Sequence, residues 1–92
     1  MTLIYPAVFH QTENGRYAGY FPDLDDCTVE GDTLSEAMNE AIEAGKNWIY
    51  TELEEDDPFL PPVSDLGDIT LQEGEFVRNI GMVLRLTDGF DE

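Results

Sequence analysis

Three aspartates in one short stretch, Asp23, Asp25 and Asp26, form the cluster with the clearest capacity for metal chemistry. Their Asp-x-Asp start is that of a calcium-binding loop, which continues with glycine at its sixth position and a bidentate glutamate at its twelfth. Here those positions hold Thr28 and Leu34. Aspartate is also common in turns, because its side chain bonds to nearby backbone groups. The pattern therefore predicts a solvated turn and no metal site.

The residues that could act as a base or a nucleophile have no catalytic partner near them in the sequence. His10 is the single histidine, and the residues next to it supply no carboxylate that would orient it for general base catalysis. Cys27 has no basic neighbour that would lower the pKa of its thiol, which favours a buried apolar cysteine. Ser35 and Ser64 lie in a helix cap region and a loop, outside any nucleophile motif. We expect no catalytic residue, no cofactor and no enzymatic activity.

The net charge restricts the partners of the chain. Its 92 residues include 21 acidic residues against 4 Lys and Arg, a formal charge of −17 at pH 7. Such a field repels nucleic-acid phosphates and anionic membranes, and it attracts basic partners. The basic residues are too few and scattered for a phosphate-binding patch: Arg16, Lys46, Arg78 and Arg85. We expect no direct binding of nucleic acid or membrane. The acidic residues could also serve solubility alone.

Length and cysteine content indicate one small domain over residues 1–92. The apolar fraction of 41% is enough for a folded core. A lone cysteine excludes an intrachain disulfide and favours a reducing compartment. The start has no basic segment followed by an apolar run, and no stretch approaches the ~18 apolar residues of a membrane span. The expected location is the cytoplasm.

Local patterns predict three strands before the first helix. Residues 3–10 alternate as a strand, and Pro6, which has no N–H to donate, places that strand at an edge or at a strand start. The Asn14-Gly15 pair predicts a hairpin into a second strand over residues 16–21. A short third strand is expected over residues 27–30, ending at Gly31.

A helix follows, because residues 33–36 read Thr-Leu-Ser-Glu and match the capping box. Apolar residues then recur every three or four positions, and Gly45 within that stripe predicts a close approach to another backbone. Residues 54–58, an acidic run closed by proline, end the helix. A loop over 57–75, a last strand over 76–86 and an acidic tail over 87–92 complete the chain. This β-β-β-α-β order predicts an α+β fold, a small antiparallel or mixed sheet with one long helix on one face.

Residues 21–37 carry a family resemblance. A Phe21-Pro22-Asp23-Leu24 turn ending in Cys27 is followed by Gly31-Asp32-Thr33, and Glu36-Ala37 opens the helix. This combination resembles the HicB family of antitoxins, in which a Phe-Pro-Asp-Leu-Pro-Gly-Cys-type turn leads into Gly-Asp-Thr and a helix starting with Glu-Ala. The similarity extends over roughly residues 3–64 and includes Tyr5-Pro6-Ala7 and Pro61-Pro62-Val63-Ser64.

The resemblance implies a degenerate, inactive RNase H-like fold that binds a small basic toxin, HicA. That toxin is a ribonuclease with a double-stranded-RNA-binding-like fold, and the antitoxin blocks its access to mRNA. An acidic surface suits this task because it speeds encounter with a basic face. Two features depart from the family. Asp25-Asp26 replaces Pro-Gly, which is expected to change the shape of the turn. No basic or helical segment follows the last strand, where many members carry a DNA-binding domain, so operator binding would need contacts from a partner.

Two sets of site residues follow. Those expected to shape the turn and the helix start are Phe21, Pro22, Asp23, Gly31, Asp32 and Thr33. Those expected to contact the toxin are Glu36, Glu40, Glu43, Asp56 and Asp57. Tyr5 and Phe9 on a supposed edge strand, together with the apolar last strand, predict a homodimer or higher oligomer. Two alternatives stay open: an orphan HicB-like acidic adaptor without a toxin, and a residual RNase H-type hydrolase.

Overall fold

The computed structural model describes residues 2–84, which form a four-stranded antiparallel sheet with one long helix against one face. The strands are β1 (Thr2–Gln11), β2 (Tyr17–Tyr20), β3 (Thr28–Gly31) and β4 (Phe76–Val83), in the order β3-β2-β1-β4. The helix α1 spans Leu34–Leu53, and a 3-10 turn covers Leu66–Asp68. The predicted α+β class and element order are confirmed. The expected end of the last strand at Leu86 and the acidic tail over 87–92 lie outside the described residues.

The position of β1 contradicts the sequence-based expectation. β1 lies inside the sheet, between β2 and β4, and is not an edge strand. Pro6 has no N–H to donate to a neighbouring strand. It lies opposite Asn79 on β4, and it precedes Val8, where pairing with β2 begins, so no bond to β2 is lost. Tyr5 and Phe9 leave no pairing surface, since their exposed fractions are 2% and 0%.

The predicted hairpin joins β1 to β2 through a slightly longer turn than a two-residue one. The Thr12 N–H donates to the Arg16 carbonyl at 2.7 Å, and the Gly15 N–H donates to the Thr12 carbonyl at 3.0 Å. Gly15 has a φ of 86°, and Asn14 is not in the left-handed region. A single positive φ is typical of a three-residue hairpin loop, in which glycine follows a type I turn.

The predicted capping box starts α1. The Glu36 N–H donates to Thr33 Oγ1 at 3.1 Å, and Glu36 Oε1 accepts from the Asp32 N–H at 3.0 Å. The reciprocal bond therefore reaches one residue further back than in the standard box, where it ends on the capping residue. Loss of such a cap typically costs about 1 kcal/mol of stability.

Small residues let the helix lie close to the sheet. Ala37, Ala41 and Gly45, one turn apart, are buried. A Cβ on Gly45 would overlap the sulfur of Met82 and lie 3.2 Å from Cζ of Phe21. The close approach predicted for Gly45 therefore exists, but it is to the side chains of Met82 on β4 and of Phe21, and not to another backbone.

Candidate partner-binding surface

Residues 21–27, called here the acidic turn, form a closed loop between β2 and β3. The Phe21 N–H donates to the Cys27 carbonyl at 3.1 Å, and the Leu24 N–H donates to the Phe21 carbonyl at 3.2 Å. Phe21 and Leu24 are buried, whereas Asp25 and Asp26 are exposed. The backbone bonds and the two buried side chains therefore hold these carboxylates in solvent on a fixed loop.

Asp26 adopts a conformation that glycine normally supplies. Its φ is 59°, and the Cys27 N–H donates to the Leu24 carbonyl at 3.3 Å across it. A positive φ at the third residue of a hydrogen-bonded turn is the type II pattern that Pro-Gly favours. Aspartate is among the few other residues that enter this region. Asp26 therefore takes the backbone conformation that glycine favours in a type II turn, and Asp25-Asp26 adds two carboxylates. The change of turn shape relative to Pro-Gly stays a prediction.

Asp23 fastens the acidic turn to the loop over residues 57–75. Its Oδ2 accepts from the Ser64 N–H at 2.8 Å, and its Oδ1 accepts from the Ser64 hydroxyl at 2.5 Å. The Tyr5 hydroxyl donates to the Pro61 carbonyl at 2.6 Å. Burial raises the pKa of Tyr5, and the negative charge of Asp23 raises it further. Sequence reasoning missed these partners, although the Pro-Pro-Val-Ser segment of the resemblance contained them.

No metal site is seen around the three aspartates. Among residues 2–84, no group of three or more His, Cys, Asp or Glu side chains is placed to hold a metal ion. Asp23 is instead engaged with Ser64. Burial raises the pKa of the Cys27 thiol, so the thiol is protonated and a weak nucleophile at neutral pH.

A groove of about 510 Å³ separates the acidic turn from the second half of α1. Trp48 lines it, and the indole N–H of Trp48 donates to the Asp25 carbonyl at 2.9 Å. Its lining combines an indole with the carboxylates of Asp26 and Glu52. Trp48 belongs to the apolar stripe of α1; it is half-buried, packs against the core and also lines this groove.

The end of α1 carries the densest group of carboxylates. Five of them line one depression of about 460 Å³, and we call them the helix-end cluster: Glu52, Glu54, Glu55, Asp56 and Asp57. The last turn of α1 contains no basic residue. The carbonyl end of a helix carries a partial negative charge, so acidic groups there are repelled by the helix as well as by one another.

The start of α1 is also acidic, but a cation partly neutralises it. Arg16 Nε lies 2.8 Å from Asp32 Oδ1, and Arg16 Nη1 lies 3.5 Å from Glu30 Oε1. Glu36 and Glu40 line the same depression, of about 350 Å³. Both ion pairs found within residues 2–84 belong to Arg16. The helix-end cluster therefore has no ion pair among the described residues.

The five predicted contact residues thus do not form one patch. Glu36 and Glu40 lie at the helix start, whereas Asp56 and Asp57 lie beyond its other end, about 30 Å away for a helix of this length. Glu43 is exposed between them. At the helix start, Gly31 leaves no room for a Cβ against the backbone of Ala37. In the acidic turn, Phe21 is buried and Asp23 bonds to Ser64.

No helix within the described part of the chain is long and apolar enough to cross a membrane. This finding concerns α1 above all, whose surface carries acidic residues along its length.

Comparison with known proteins identifies the family. A model described as HicB_like antitoxin of bacterial toxin-antitoxin system matches residues 5–88. The N-terminal domain of the Burkholderia pseudomallei antitoxin HicB is similar with a TM-score of 0.73 at 22% identity, covering 89% of this chain and 100% of that one. No curated protein matches the chain.

Two toxin-antitoxin complexes contain similar chains. One, a complex of HicA3 and HicB3, gives a TM-score of 0.62 at 29% identity, covering 84% of this chain and 94% of the other. The second, from Streptococcus pneumoniae, gives 0.68 at 23% identity, covering 90% and 70%. The structural likenesses support the fold, and the family model spans nearly the whole sequence. This chain belongs to the HicB-like antitoxin family of bacterial toxin-antitoxin systems.

Proposed function

We propose that this chain neutralises a small basic HicA-type mRNA interferase by covering the RNA-binding and catalytic face of that toxin. The observation that carries the proposal is the helix-end cluster, five carboxylates without an ion pair among the described residues. Membership of the antitoxin family and likeness to chains in toxin-antitoxin complexes support a toxin as the partner. The role is binding in the cytoplasm, without catalysis, cofactor or direct contact with nucleic acid.

The electrostatics of the free chain favour a basic partner at the helix end. Asp56 and Asp57 follow the negative end of the helix macrodipole, with Glu54 and Glu55 directly before them. Their mutual repulsion is relieved when a positively charged surface docks. A face that binds RNA phosphates is such a surface, so the carboxylates compete for the groups that would hold the substrate.

The groove beside Trp48 suits one lysine or arginine side chain of the toxin. A cation over an indole face is attracted by the ring, and a carboxylate beside it adds a charge-assisted hydrogen bond. Asp26 and Glu52 supply carboxylates to the lining of this groove. We extend the proposed contact set, which consists of Glu36, Glu40, Glu43, Asp56 and Asp57, by Asp26, Trp48 and Glu52.

Native mass spectrometry of the chain purified from its own host at low salt tests this function. A bound small basic protein, present in fixed stoichiometry, is the expected result. Titration of added salt should then release it, because charge attraction is screened within about 8–10 Å near physiological ionic strength. A homo-oligomer without a partner would contradict the proposal and favour the orphan adaptor. A complex that salt does not weaken would show that apolar contacts hold it.

The residual hydrolase has a separate test. Purified chain that cleaved RNA with added divalent metal would contradict the non-enzymatic role. We expect no cleavage, because a metal-dependent hydrolase of this type needs several carboxylates on its strands, and Glu30 is the one carboxylate within β1 to β4.

A further inference from the structure

Phe59 is the most exposed large apolar side chain of the described residues, at 69%. Single exposed apolar side chains are common on protein surfaces, so exposure alone assigns no role to the ring. The other exposed large apolar side chains are Ile4, Tyr20, Val63, Leu66, Leu71 and Val83. What distinguishes Phe59 is that its own backbone is bonded to a member of the helix-end cluster.

The backbone around Phe59 is held on both sides. The Phe59 N–H donates to Glu52 Oε2 at 3.1 Å. Leu60 packs against the core, and the Pro61 carbonyl accepts from the Tyr5 hydroxyl at 2.6 Å. Proline at positions 58, 61 and 62 fixes φ there and restricts the residue before each. The exposed ring is therefore carried by a segment that has little backbone freedom to lose when a partner binds.

Carboxylates adjoin this ring. Glu52, which accepts the Phe59 N–H, lines both the depression of the helix-end cluster and the groove beside Trp48. Asp56 and Asp57 come shortly before Phe59 in the chain and line the same depression. A partner that covers the ring therefore also meets carboxylates of the helix-end cluster. An exposed aromatic side chain bordered by polar contacts that exclude water is the arrangement of a binding hot spot.

We propose that Phe59 is the apolar anchor of the toxin interface, and that its ring enters an apolar pocket between basic groups of the toxin. This inference rests on the function proposed above and adds the residue that retains the toxin after encounter. Charge selects the occupant. A second copy of this chain, with its formal charge of −17, would meet like charge at the helix-end cluster. A basic surface is instead attracted there.

The carboxylates and the ring act on different rate constants. Charge attraction operates before contact, so the carboxylates set the association rate constant and its dependence on salt. Burial of an apolar ring stabilises the complex only after contact, so Phe59 sets the dissociation rate constant. Salt screens the first contribution and does not screen the second. Removal of charge and removal of the ring therefore have distinguishable effects.

Binding kinetics test the inference. The full 92-residue chain is measured against the basic protein that native mass spectrometry recovers, at about 0.15 M and about 0.5 M salt. F59A should raise the dissociation rate constant at least about tenfold at both salt concentrations and leave the association rate constant unchanged. F59L keeps an apolar side chain and should restore most of the lost affinity.

L66A is the matched control, since it truncates a leucine of the same loop that is 48% exposed and lies outside the helix-end cluster. It should leave both rate constants unchanged. Circular dichroism and urea unfolding check that the variants fold like the parent chain. An equal effect of F59A and L66A, or no effect of F59A, overturns the inference and leaves the proposed function standing. A parent chain that binds no basic protein contradicts the proposed function, and the inference with it.

A fluorine label locates the ring without truncating it. The chain has five phenylalanines, and the ¹⁹F signal of 4-fluorophenylalanine that is missing from F59L belongs to Phe59. We expect this signal to shift when the basic protein is added to the labelled parent chain, because the ring moves from solvent into an apolar pocket. A signal that keeps its position in the complex overturns the anchor role, whether or not F59A folds.

Discussion

The two sides of this small fold carry opposite kinds of surface. The acidic turn, fixed by backbone hydrogen bonds, and the helix-end cluster both expose carboxylates. β1 and β4 contain no carboxylate. Association of a basic partner with the first side should therefore weaken as salt is added.

Removing charge from the helix-end cluster should give the largest effect. The variant E54Q, E55Q, D56N and D57N should weaken binding of the basic partner roughly tenfold to a hundredfold at low salt, because four carboxylates no longer attract it. Its salt dependence should flatten, as measured by calorimetry at several ionic strengths.

A matched control is D65N with D68N, which removes charge from exposed residues of the loop outside the helix-end cluster. This control should weaken partner binding much less. An equal loss of affinity in both variants would show that net charge alone, and not the helix-end cluster, sets the affinity.

Substitution of Asp26 should have a moderate effect and separate the shape of the acidic turn from its charge. D26G removes the side chain from a residue whose φ is 59°, a conformation that glycine adopts without strain. We therefore expect the free energy of unfolding, measured by heat and by urea, to rise by about 0.5–1 kcal/mol. D25G is the control, because Asp25 is not in the left-handed region, and it should destabilise the fold.

D26N keeps a residue that tolerates this conformation and removes only the charge. If the carboxylate contacts the toxin, D26N and D26G should weaken binding by the same factor. Unchanged affinity in both variants would remove Asp26 from the contact set.

The pH dependence of the stability that Tyr5 contributes should be the smallest of these effects. Burial and then Asp23 raise the pKa of Tyr5 above its usual 10.0 in the folded chain. The stabilisation from the protonated hydroxyl is therefore complete below about pH 10, the unfolded value, and is lost as the pH rises toward the folded value. The free energy of unfolding, measured with urea between about pH 8 and about pH 12, should show this alkaline loss.

Y5F should remove the tyrosine contribution to that alkaline loss. It should also cost about 1 kcal/mol at neutral pH, because the hydrogen bond to the Pro61 carbonyl is gone. Y17F is a control, since it removes a tyrosine hydroxyl from β2. An alkaline transition that is identical in Y5F and the parent chain would contradict the assignment to Tyr5.

Much of the local structure follows from short sequence signals. The capping residue Thr33, the hairpin glycine Gly15 and the apolar stripe of α1 each act within a few residues, so the helix and hairpin could be predicted closely. The family could be recognised because its turn and helix start lie within 17 residues, 21–37. The predicted contact residues Glu36 and Asp56 are exposed as expected, but their roles stay predictions.

Contacts between distant segments could not be read from those signals. Pro6 suggested an edge strand, because no local pattern shows that β4, some 70 residues later, covers the other side of β1. The Asp23 bond to Ser64 spans 41 residues, and the Trp48 bond to Asp25 spans 23. The order of the strands and the docking of the loop depend on which arrangement of all the elements buries the most apolar surface. That arrangement is a property of the folded chain and not of any short segment.

The sequence by itself therefore determined the net charge, the element types and the family, since these depend on composition and near neighbours. Only the tertiary structure decided where the charge lies. Pairing of the four strands left Glu30 as the one carboxylate within them, and docking the acidic turn against Trp48 set its aspartates near the end of α1. The physical reason is that charge is a sum over residues, whereas a charged or uncharged surface exists only after distant strands have paired.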